Sequence, residues 1–151
     1  MDANSPELKE RTALAAVARS LGLPGEFAGM SSTAKLKALT ELPDLPRTLR
    51  RLRPDEMFHL VRDIGVEDAF DLLAYASPAQ RRAFVDLEAW TGRSLAPDRL
   101  DRVLDMARDV SLDFAVRYLD ELGPEVIALR IFARARVYTQ DEAETIAEEV
   151  G

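Results

Sequence analysis

Between Arg53 and Trp90 the chain reads RPDEMFHLVRDIGVEDAFDLLAYASPAQRRAFVDLEAW, in which three helix signatures and two turn signals leave no room for a long loop. Met57, Phe58, Leu60, Val61 and Ile64 recur at the three- and four-residue steps of an amphipathic helix. After Gly65 the pattern restarts with Val66, Ala69, Phe70, Leu73 and Ala76, so Gly65 is expected to hinge two helices. Pro54 and Pro78 stand where a first helical turn tolerates a residue without an N–H, and Ser77 with Gln80 forms a capping box around the second. A helical hairpin plus one more helix is the unit around which the remainder must pack.

Ser5 and Pro6 open an earlier helix with Leu14, Val17, Ala18 and Leu21 on one face, ended by the turn from Gly22 to Gly25. Residues 26 to 31 read as loop. Ser32 is expected to cap a shorter helix carrying Leu36, Leu39 and Leu42, which the PDLP at 43–46 breaks. Residues 1–45 thus form an N-terminal two-helix arm, expected to lie across the body rather than build a core. The body spans 46–138. Past the TGRSLAP turn, Pro97 and Asp98 start a helix with the stripe Leu100, Val103, Leu104, Ala107 and Val110. Asp113 to Leu122 supplies the next helix, and Gly123-Pro124 resets the chain into one ending near Tyr138. Thr139 with Glu142 caps a final acidic helix, 139–151, with Ala143, Ile146, Ala147 and Val150 on one side. No stretch alternates with a period of two, so no strand is expected.

Pro54, Asp68 and Ser77 are followed by Pro97, Asp113 and Gly123 at spacings of 43 to 46 residues, the period of helical-repeat arrays. The fold class is therefore all-α: an array of antiparallel helical hairpins, of either superhelical hand. The string LRRLRPDEMFHLVRDIGVEDAFDLLAYASPAQ, followed by DLEAWTG and a second hairpin, resembles the N-terminal part of a bacterial family of unknown function. More distantly it is similar to the helical cytosolic domain of MgtE-type magnesium transporters, over roughly residues 46–138. That resemblance implies an interaction or regulatory superhelix, without the transporter's membrane spans or nucleotide-binding module.

A net charge of −7 opposes attraction to nucleic acid and to anionic lipid. The absence of cysteine removes disulfides and thiolate metal sites. No apolar run approaches spanning length, and the first residues carry acids where a secretory signal carries bases, so a cytoplasmic protein is expected, with no membrane insertion and no nucleic-acid partner.

No catalytic constellation is visible, and neither a catalytic residue nor a cofactor is expected. His59, the single histidine, falls beside Arg62 and Asp63 on the face turned to water, with no nucleophile near it in sequence. Asp101, Asp105 and Asp109 repeat every fourth residue, a row able to hold a hard cation but equally typical of a solvated face opposite an apolar stripe. Glu67, Asp68 and Asp71 gather at a helix start, where acids complement the dipole. Arg47, Arg50, Arg51 and Arg53 form the one basic run, suited to phosphate or an acidic partner but without interleaved aromatics. Trp90 is expected as core, plugging the end of a helical layer.

The function expected is a non-enzymatic protein-interaction or regulatory domain. The alternative is a divalent-cation-responsive domain using the aspartate row. The helix from Glu125 to Tyr138 points to the first. Val126, Leu129, Ala133 and Val137 make one apolar stripe, and Ile127, Ile131 and Tyr138 a second. A helix apolar on two sides wants two neighbours. The second stripe is expected to be covered by the final helix, by the N-terminal arm or by a second copy of the chain, a homodimer first among the three, with Arg130 and Arg134 lining the seam.

Overall fold

The computed structural model describes residues 5–134, 144–145 and 147–149 of the protein. Between Pro6 and Arg134 the chain forms ten α-helices and one two-stranded hairpin, an all-α fold. Helix α1 spans Pro6–Leu21; the Ser5 side chain accepts from the Leu8 N–H at 3.3 Å, and Gly22 ends the helix with a left-handed φ of 71°. A 3-10 turn, Gly25–Gly29, occupies what reads as loop, and it buries Phe27. The cap of α2, Ser32–Thr40, is Ser31 rather than Ser32, its hydroxyl accepting from the Ala34 N–H. Helix α3 covers Leu45–Arg50, and its cap Asp44 has φ 52°, a left-handed conformation that aspartate tolerates better than most residues.

Helix α4, Pro54–Ile64, ends at Gly65, whose φ of 114° is strained for any side chain. The restarted pattern is not one helix but two short ones, α5 at Val66–Ala69 and α6 at Leu72–Tyr75. Helix α7, Pro78–Ala89, follows, and then the strands β1, Trp90–Thr91, and β2, Ser94–Leu95, which correct the expectation of no strand. Two residues per strand are too few to show alternation. Gly92, φ 64°, lies in the turn between them. Helix α8, Pro97–Val110, and α9, Leu112–Leu122, are joined by Ser111, whose hydroxyl accepts from the Phe114 N–H. Helix α10 spans Pro124–Arg134. Residues 144–145 and 147–149 are helical and exposed. Val137, Tyr138 and the Thr139–Glu142 cap lie outside the described residues, as do Ala143, Ile146 and Val150 of the final stripe.

Packing runs from the first helices to the last through α4 and α7. Helices α1 and α2 lie on α4, α4 on α7, α7 on both α8 and α9, and α9 on α10. One continuous apolar cluster threads them, from Val17 and Phe27 through Leu60, Phe84 and Val103 to Val126. The N-terminal segment packs on α4 and builds part of the core: Val17, Ala18, Phe27 and Leu39 are fully buried. The centre is aromatic. Phe70 stacks on Tyr118 at 6.4 Å, with Phe84 and Phe114 edge-on to it.

Candidate functional site

The start of α7 gathers the densest polar contacts. Gln80 completes the capping box, its Oε1 accepting from the Ser77 N–H at 2.8 Å while Ser77 Oγ accepts from the Gln80 N–H at 3.2 Å. Its Nε2 donates to the carbonyls of Leu49 and Leu52, each at 2.8 Å, which satisfies the end of α3. Arg81 is only 5% exposed. Its Nε and Nη2 hold Glu121 bidentately at 2.7 and 2.6 Å, and Nη1 donates to the carbonyls of Leu73 and Ala76 at 3.1 and 2.5 Å. The guanidinium also lies 5.9 Å from the Phe114 ring centre. With four of its five N–H donors committed, the guanidinium ties α6, α7 and α9 together.

Tyr118 closes the cluster by donating its hydroxyl to the Arg81 carbonyl at 2.9 Å. Burial pushes this phenol far above its ordinary value, outweighing the Arg81 guanidinium that pulls it down. As pH rises through about 10, the unfolded chain loses the tyrosine proton and the folded chain keeps it, so stability is full below that pH and declines above it. Tyr118→Phe should cost about 1 kcal/mol at neutral pH and soften the alkaline decline. Urea titrations at neutral and strongly alkaline pH check both.

An ion pair and a hydrogen bond join the N-terminal segment to α4. Lys35, almost fully buried, pairs with Asp63 and lies 5.9 Å from the Phe27 ring centre. Ser20 donates to Glu56 at 3.4 Å, and Glu56 also accepts from the Arg53 N–H that opens α4. Asp63 also lines a surface hollow with Glu7, Glu10 and Arg11 of α1.

The residues singled out from sequence are dispersed. His59 is half-buried rather than open to water, its ring edge-on to Phe58 at 5.7 Å. The aspartate row is divided: Asp101 accepts from Arg130 Nε at 2.6 Å and Asp105 lies 3.8 Å from Arg108. Among the described residues no three His, Asp or Glu side chains come together as metal ligands would. Arg102 reaches Glu67 at 2.6 Å. In the basic run, Arg50 donates to the Tyr75 carbonyl and Arg53 to Asp55, while Leu49 and Leu52 are buried in the core. Trp90 is half-buried and lines a surface hollow, so it is not the core plug its sequence setting suggests.

Helix α10 departs furthest from a closed globule. Of the first apolar stripe, Val126 is buried in the core and Leu129 is 42% exposed. Ile127 is half-buried, whereas Ile131 and Phe132 are 55% and 75% exposed. Arg130 is held within the chain by Asp101, which fixes the helix on α8. Arg134 is the last described residue of the helix, and Tyr138 lies outside the described residues. Phe132, absent from both expected stripes, is the most exposed large apolar side chain of the described residues.

Residues 14–151 match the model of a family described as "Family of unknown function (DUF6178)". No curated protein and no solved structure matches, and the likeness to MgtE-type transporter domains finds no counterpart among these comparisons. No helix among the described residues is long and apolar enough to cross a membrane.

Proposed function

The chain belongs to the DUF6178 family of unknown function, and from that premise we propose a non-enzymatic protein-interaction domain that self-associates through the outer face of α10. The observation carrying this reading is the exposure of Leu129, Ile131 and Phe132 together on one eleven-residue helix. Side chains of this size forfeit about 3–6 kcal/mol in total when left in water, a cost that a docked surface recovers. Ile127 sits at the edge of the proposed contact, and Arg134 and Tyr138 belong to it by their sequence positions. Arg130 acts from behind, holding the helix in place through Asp101. A homodimer in the cytoplasm is the assembly proposed.

A divalent-cation-responsive role, the second reading, rests on Asp101, Asp105 and Asp109. Arg130 and Arg108 stand beside two of these three carboxylates, which weighs against it. Calorimetry with Mg²⁺ and Ca²⁺ on the wild type and on Asp105→Asn checks that role directly.

Self-association stabilises the folded state by mass action, so the thermal midpoint should rise with protein concentration. Ile131→Glu with Phe132→Glu should abolish that dependence and leave the far-ultraviolet circular dichroism unchanged, because both side chains are at the surface. A midpoint independent of concentration in the wild type would count against the proposal.

A further inference from the structure

A groove runs along the outward face of α7 on the side of the α9–α10 turn. It consists of two hollows of about 380 and 530 Å³ that share Arg82 and Asp86. Pro78, Ala79 and Ala83 keep its floor low at one end, and at the other lies half-buried Trp90 with Val126. From Pro78 to Trp90 a helix rises about 18 Å, the length of three helical turns or of about five extended residues.

Its charges are unbalanced. Glu121 is already committed to Arg81, and Arg82, the one base lining the groove, donates to the Glu121 carbonyl at 2.8 Å. Asp86, Asp120 and Glu125 line the walls and none of them forms an ion pair among the described residues. An occupant must therefore bring positive charge along its length and an apolar side chain for the Trp90 end. Nucleic acid and anionic lipid carry the wrong sign. A second copy is a poor complement too, because it brings a net charge of −7, the same sign as the groove.

We propose that this groove docks a basic segment of a partner protein, with lysines or arginines facing Asp86, Asp120 and Glu125 and a leucine-sized or aromatic anchor against Trp90. The proposal rests on the reading of the chain as an interaction domain and gives it a second surface, which takes in the first turn of α10 but not the exposed Leu129, Ile131 and Phe132. An aromatic platform with acidic walls selects by charge first and by the anchor second, so salt should weaken the contact steeply.

Trp90 is the only tryptophan of the chain, so its emission reports occupancy directly. The probe is a blocked twelve-residue peptide of leucine and lysine patterned as an amphipathic helix, titrated into the full chain. A saturable change in Trp90 emission is expected, weakened about tenfold when serine replaces leucine and absent when glutamate replaces lysine. Asp120→Lys with Glu125→Lys, both exposed positions, should weaken binding at least tenfold. Glu26→Lys with Glu41→Lys, the same charge change far along the chain from the groove residues, should leave affinity within about twofold. No saturable change, or equal weakening by both pairs, would overturn the groove. Concentration-dependent melting that persists in the Asp120/Glu125 variant keeps the α10 reading separate, so each surface can fail alone.

Discussion

Arg81→Ala should lower the unfolding free energy by about 3–5 kcal/mol, because it removes one partner of a buried ion pair and leaves the other behind. Glu121, whose side chain is 16% exposed, would lose both of its 2.6–2.7 Å donors, and the Leu73 and Ala76 carbonyls would lose theirs. Arg81→Lys should recover little, since a single ammonium cannot serve a carboxylate in bidentate fashion and two carbonyls at once. Arg82→Ala, one residue on, removes an exposed side chain with one carbonyl contact and should cost no more than about 1 kcal/mol. Urea denaturation of the three variants measures the contrast. Glu121→Gln combined with Arg81→Ala should cost less than the sum of the two, as groups sharing one network are not independent.

Val17→Asp should be comparably severe, about 3–5 kcal/mol, because the position is fully buried and offers an introduced carboxylate no partner. The outcome separates two pictures of the N-terminal segment. An arm merely resting on a self-sufficient body would peel away and leave a cooperative transition from residues 46 onward nearly unchanged. A segment whose Val17, Phe27 and Leu39 belong to the same cluster as Leu60 and Phe84 should take the whole chain with it. The measurement is a urea titration followed both by circular dichroism and by Trp90 emission: coincident, shifted transitions are expected.

Helix positions were legible because their signals are local. Proline at the first turn of α1, α4, α7, α8 and α10 and apolar residues at helical steps locate those elements within a residue or two. The break between α5 and α6 was not legible: Phe70 and Asp71 keep helical dihedrals, and the interruption carries no glycine or proline. Arg81 escaped notice because Gln80-Arg81-Arg82 reads as a polar first turn. Its burial was nonetheless signalled, since Arg81 stands three and four residues before Phe84 and Val85, on their face. Lys35 precedes Leu39 by four and Glu56 precedes Leu60 by four in the same way. A charged residue in phase with an apolar stripe is thus the pattern that marks a buried ion here.

The surface of α10 was partly legible. Its two-sided apolar character was visible in sequence, and Ile131 does face solvent, but Leu129 was expected inside and Phe132 was overlooked. The difference is tertiary: Arg130 engages Asp101 on α8 and thereby sets the rotation of the helix, which no periodicity reveals.

Sedimentation equilibrium at micromolar concentration tests the proposed self-association most directly. The account predicts a mass near twice 16.8 kDa for the wild type and near 16.8 kDa for Ile131→Glu with Phe132→Glu. A wild type that is strictly monomeric, with a mass unchanged by the double substitution, would contradict it.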